Sequence, residues 1–95
     1  MITCFMFGNY TPGALKGVSA ERTMNVIGII EELGGEVQQM YALLGEHDLV
    51  FIVNFPDINT AVKASATLGR YLDIPFSTAP AVSVEEFDSL LEEEN

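Results

Sequence analysis

The side chains able to do chemistry are few: one histidine, one cysteine, three tyrosines and a surplus of carboxylates. His47 stands between Glu46 and Asp48 in the stretch Gly45-Glu46-His47-Asp48. An imidazole beside a carboxylate can serve as a general base or a pH-sensitive ligand contact, because the carboxylate orients the ring and stabilises its charged form. The same four residues also read as a hairpin turn, with His47 exposed at its tip and Asp48 accepting from turn amides. The flanking apolar runs favour the turn. Tyr10 lies with Asn9 and Lys16 in a stretch that could line a cleft at one end of a sheet, or simply pack over a helix. Tyr41, on an edge strand, can reach a pocket or a partner subunit, or pack in place. The ligand-binding candidates are therefore Tyr10, Tyr41, His47 and Asp48, and no residue is assigned as catalytic. Arg70 and Tyr71 fall near a helix end, where a cation complements the helix dipole.

Other chemistries find no support. One His and one Cys far apart give no zinc pattern. No phosphate-loop spacing and no nucleophile elbow occur, so neither a metal nor a cofactor is expected. Cys4, inside an apolar strand, reads as a small buried hydrophobe. Fourteen acids against four bases give a formal charge of -10. Such a surface repels phosphate backbones, so nucleic acid is not an expected partner. No apolar run approaches the roughly 18 residues of a membrane span. The start lacks a basic region and a full apolar core of a leader. A cytoplasmic location is the expectation, and a lone cysteine is compatible with a reducing compartment.

The elements that must hold these residues follow from pattern. The 95 residues suffice for one domain, and 48% hydrophobic content supports one packed core. Ile2 to Phe7 reads as a strand and residues 8–18, with three glycines and a proline, as a loop. Ser19 caps a helix whose face is Met24, Ile27, Ile30 and Leu33, widened by Val26; Gly34-Gly35 stops it. Glu36 to Leu44 and Leu49 to Phe55 form an antiparallel hairpin around the 45–48 turn. Asp57 caps a second long helix with Ile58, Ala61, Val62, Ser65, Leu68 and Leu72 on one face. Phe76 to Val82 is a fourth strand. Ser83 and Glu86 form a capping box for a short terminal helix bearing Phe87, Leu90 and Leu91, with Val82 and Phe87 at the staple positions.

The order β-α-β-β-α-β predicts an α+β, ferredoxin-like two-layer sandwich: a four-stranded antiparallel sheet under two helices. Strands two and four then lie at the edges, which suits Pro80, since proline lacks the ladder donor. The strands are apolar on both sides: Ile2, Cys4 and Met6 oppose Phe5 and Phe7; Val37, Tyr41 and Leu43 oppose Met40, Ala42 and Leu44. A two-layer fold leaves one such face bare. The loop and terminal helix are short on bulk to cover it, so a homodimer or larger assembly of the dimeric α/β-barrel kind is expected.

An ordered set of short stretches spans nearly the whole chain: Tyr10-Thr11 followed by Gly13, then Leu33-Gly34-Gly35-Glu36-Val37, then Tyr41 to Leu44 running into Gly45-Glu46-His47-Asp48-Leu49-Val50, then Pro56-Asp57 and Glu85-Glu86-Phe87. In these the chain resembles the GYD-domain family of small ferredoxin-like proteins. The family usually has tyrosine where His47 stands and often a basic residue where Pro80 stands, so the roles of those groups do not carry over. The resemblance implies the fold and oligomerisation. At the level of fold alone, the chain is also similar to the small-molecule-binding domain of leucine-responsive regulators. These readings converge on an oligomeric binding or regulatory module for a small ligand or protein partner. The alternative is a cofactor-independent enzyme of the dimeric α/β-barrel type, with His47 or Tyr10 transferring a proton.

Overall fold

The structure, a computed structural model, describes residues 1–93. Its elements are β1 (Ile2–Gly8), α1 (Pro12–Lys16), α2 (Ala20–Glu32), β2 (Glu36–Ala42), β3 (Leu49–Phe55), α3 (Ile58–Leu72), β4 (Phe76–Ala81) and α4 (Val84–Glu93). All strand pairs are antiparallel, in the order β2-β3-β1-β4. The expected sheet is therefore present, with β2 and β4 at its edges. No helix among the described residues is long and apolar enough to cross a membrane.

The first connection differs from the loop expected over 8–18. Pro12–Lys16 forms a short helix, because the Thr11 hydroxyl accepts from the Ala14 amide at 3.1 Å and Pro12 supplies a helical φ at the first position. The 43–48 connection is also longer than the expected four-residue turn, since β2 ends at Ala42. The Leu43 amide donates to the Asp48 carbonyl at 2.8 Å and closes it.

Helix α2 starts where Ser19 accepts from the Arg22 amide at 3.0 Å and ends at Gly34, whose φ of +93° suits glycine. Its buried seam is Val26 and Ile30, with Ile29 and Leu33 half-buried beside it. Met24, placed on the core face by its three-residue spacing, is exposed. Three-residue steps drift by about 60° each around a helix, so a run of them spirals away from the sheet. On α3 the core is met by Ala61, Ala64, Leu68 and Leu72, whereas Ile58 and Val62 face outward. Small residues on that seam bring the helix close to the strands.

Asp57 caps α3 by accepting from the Thr60 amide at 2.7 Å, and this bond holds its carboxyl below the usual range. Because ionised Asp57 is favoured in the folded chain, its contribution is complete above the ordinary carboxylate pKa. It is lost as pH falls through the lower folded value. Asp57→Asn keeps a capping oxygen that does not titrate. Its unfolding midpoint in urea should fall less between pH 5 and pH 3 than that of the wild type; equal slopes would remove Asp57 from the acid response.

The register assigns every strand residue to a face. Toward the helices lie three rows: Val37, Val53, Cys4, Pro80; Met40, Phe51, Met6, Thr78; and Ala42, Leu49, Gly8, Phe76. Their centre, with Phe55, Ile30 and Leu68, is the core. The shift between Val37 and Gln39 is a bulge, and it overturns the expected alternation of β2. Val37 points to the helices, Tyr41 to the opposite face, and Met40 and Ala42 rejoin the core side. Gly8 is tightly packed: a Cβ there would lie 3.0 Å from side-chain carbons of Ile74 and Phe76, which would have to give by a few tenths of an ångström.

Candidate functional site

The face of the sheet away from the helices is also built in three rows. Glu36, Asn54, Thr3 and Ala81 form one end; Gln39, Ile52, Phe5 and Ala79 form the middle; Tyr41, Val50, Phe7 and Ser77 form the other end. The first row is polar, with the Thr3 hydroxyl donating to Asn54 Oδ1 at 2.7 Å. The middle of the second and third rows is apolar. Val50 is only 6% exposed although no helix covers it, because Phe7 and Tyr41 flank it from the neighbouring strands. His47 completes this end: its ring lies 4.8 Å from that of Phe7, tilted by 30°. The result is an apolar floor with a hydroxyl and amide at one end and a phenol and imidazole at the other.

This arrangement divides the four candidate residues. Tyr41 and His47 share the outer face. Tyr10 does not: its side chain packs against the core on the helix side, near Arg22, Val26, Met40 and Leu72, around a cavity of about 240 Å³ whose lining also includes Tyr41 of the edge strand. That volume is below the usual range of ligand pockets, about 300–1,000 Å³. Arg22 is also engaged, donating to the Ala14 carbonyl at 2.7 Å. Asp48 joins the two regions. Its Oδ2 accepts from the Tyr10 amide at 2.8 Å, while its own amide donates to Asn9 Oδ1 and to the Gly8 carbonyl, each at 3.0 Å. Asp48 thus clasps the end of β1 to the β2–β3 connection. With that carboxylate committed to Tyr10, no hydrogen bond reaches the His47 ring among the described residues, and the ring instead lies against Phe7. The expected bare loop tip is replaced by a half-buried imidazole at the rim of an apolar surface.

A feature that sequence reasoning missed lies on the opposite layer. Between α3 and β4 runs a groove of about 770 Å³, walled by Ile58, Val62 and Ala66 on one side and Phe76 and Pro80 on the other, with Cys4 at its floor. Burial pushes the Cys4 thiol up, so it stays protonated and unreactive there. The available signal was the i, i+4 pair Ile58 and Val62, apolar yet adjacent to the small buried residues Ala61 and Ala64 of α3. Among the described residues, no group of three or more metal-capable side chains converges.

The GYD domain family model matches residues 4–91 of the chain. No curated protein matches it. Among solved structures, FFRP-DM1 is similar with a TM-score of 0.61 and 21% identity over 86% of this chain and 100% of that one. The leucine response regulatory protein LrpA of Mycobacterium tuberculosis gives a TM-score of 0.57 and 11% identity over 86% of this chain and 51% of that one. An AsnC family transcriptional regulator from Agrobacterium tumefaciens gives 0.57 and 22% over 86% and 50%. The chain thus spans about half the length of the two regulators. At these identities the likeness is one of fold.

Proposed function

The chain belongs to the GYD domain family, and from that footing we propose that it is a self-associating regulatory module, pairing through its outer sheet face. A small, largely apolar ligand, or a segment of a protein partner, is held at the ends of the paired faces. The observation that carries this reading is the apolar floor of Phe5, Phe7, Val50 and Ile52 on a face that, of the helices, only the first turn of α4 borders. Water on such a surface is released when two copies meet, at about 25 cal/mol for each Å² covered. The rim supplies direction: Tyr41 and His47 offer hydrogen bonds to a polar group whose apolar part rests on the floor. The fold shared with LrpA and the AsnC family regulator supports a regulatory role. Nucleic acid is not a partner in this reading, because a formal charge of -10 doubles on pairing.

Sedimentation velocity at low micromolar concentration tests the proposal. At least a dimer is expected. A monomer that binds no apolar-patch dye would overturn it. Native mass spectrometry of the chain purified from its own host then reads any retained small molecule directly.

A further inference from the structure

Helix α4 begins with strong local signals. The Ser83 hydroxyl accepts from the Glu86 amide at 3.0 Å, and Glu85 and Glu86 occupy the first turn, favourable to the helix dipole. Yet Phe87 and Leu90 are about half exposed, at 51% and 50%, and among the described residues none of α4 belongs to the core. Val82 and Phe87 also stay exposed, so the expected staple is not buried. A ten-residue helix is marginal in water on its own, so an amphipathic one needs a surface to lie on. The groove between α3 and β4 is the complementary feature. It is apolar, and it exposes Ile58 and Val62 at 50% and 63%. Helix α3, about 22 Å long, readily accommodates α4 at about 15 Å.

Charge selects between the surfaces α4 could cover. It carries Glu85, Glu86, Asp88, Glu92 and Glu93, and no base. The outer sheet face offers no cation: its polar members are Glu36, Gln39, Thr3, Asn54 and Ser77, with Tyr41 and His47 at the far end. Helix α3 carries Lys63 and Arg70, two of the four bases in the chain, and no acid; Arg70 lines the groove together with Asp73 from the end of the helix, and Lys63 lies outside that lining. Connectivity then decides whose helix it is. Only Val82 and Ser83 separate β4 from α4, and Ser83 and Glu86 border a depression on the outer face with Thr3, Phe5 and Ile52. The groove opens on the other layer, and among the described residues none of α4 of the same chain lines it.

We propose that the α3–β4 groove receives α4 of a second copy, with Phe87 and Leu90 against Ile58 and Val62 and the acidic face toward Lys63 and Arg70. This builds on the self-association reading but uses different surfaces. The test uses two full-length variants, Val62→Cys and Leu90→Cys, mixed and oxidised, both in a Cys4→Ala background because Cys4 lies at the floor of the groove. A mixed disulfide at least tenfold more abundant than either homodisulfide is expected. Its absence, or preferential linkage of Leu90→Cys to an Ile52→Cys chain, would overturn the proposal, the latter by placing α4 on the outer face. In parallel, Val62→Asp and Leu90→Asp should each weaken association at least tenfold, and the double variant no further than either alone, because both remove one contact. Additive losses, or none, would count against it. A dimer without the mixed disulfide sinks this inference and leaves the outer-face pairing standing. The mixed disulfide formed in a Phe5→Asp background does the reverse.

Discussion

Phe5→Asp should abolish pairing through the outer face, with the helical and strand content of the monomer unchanged. Phe5 sits in the middle row, opposite Ile52 on one side and Ala79 on the other, half-buried already and away from the core. A carboxylate there would be driven between two apolar sheets with no cation on either one. An uncompensated buried charge costs about 3–5 kcal/mol, and each 1.4 kcal/mol is a tenfold change. A weakening of at least about a hundredfold follows, and a two-fold axis would place a second carboxylate near the first. Sedimentation over a concentration series reads this directly. Phe5→Leu, which keeps the surface apolar, should retain the assembly. If Phe5→Asp associates as the wild type does, pairing uses another surface.

Phe55→Ala should produce the largest loss of stability of any single truncation in the chain. The Phe55 ring is fully buried at the end of β3. It lies so close to Gly35 that a Cβ on that glycine would sit 3.1 Å from two of its atoms. Gly35, which lies against the ring, has no side chain with which to fill the gap. Phenylalanine-to-alanine changes in cores cost about 3–5 kcal/mol, against a total of about 5–15 for a domain. For a domain of this size the melting temperature should drop by at least about 12 °C. Urea titration at one fixed protein concentration measures it, since any self-association adds its own term. A loss below about 1.5 kcal/mol would mean that the site collapses on itself and that Phe55 is not the keystone of this packing.

Much of the architecture was legible because its signals are local. Ser19, Asp57 and Ser83 each stand before a helix and each accepts from the amide three residues on. Gly34 and the strand runs bracket the rest. Thr11-Pro12 carried the same kind of signal for α1 and was masked by the glycines on either side. The bulge in β2 was not legible: nothing in Val37-Gln38-Gln39 marks which residue leaves the ladder, and one displaced residue reverses every face assignment after it. That is why Tyr41 falls on the outer face beside Val50. The separation of Tyr10 from His47 was hidden for a related reason. Both flank the same clasp around Asp48, but they lie on opposite layers, and only strand register distinguishes the layers. The α3–β4 groove is a relation between two consecutive elements, set by how closely the helix packs beside the strand, and no pattern within either one announces it.

The central position of β1 has a consequence in time. Its two neighbours are β3 and β4, so Ile2 waits for Phe55 and Thr3 waits for Ala81. During synthesis, at about 5–20 residues per second, the first strand emerges long before either partner exists. For those seconds an almost continuous apolar segment, Ile2 to Phe7, has both edges open and no layer above or below it. Such a segment is a template for pairing with its own copies. Rapid closure of the β2–β3 hairpin then matters chiefly because it presents β1 with its first legitimate neighbour.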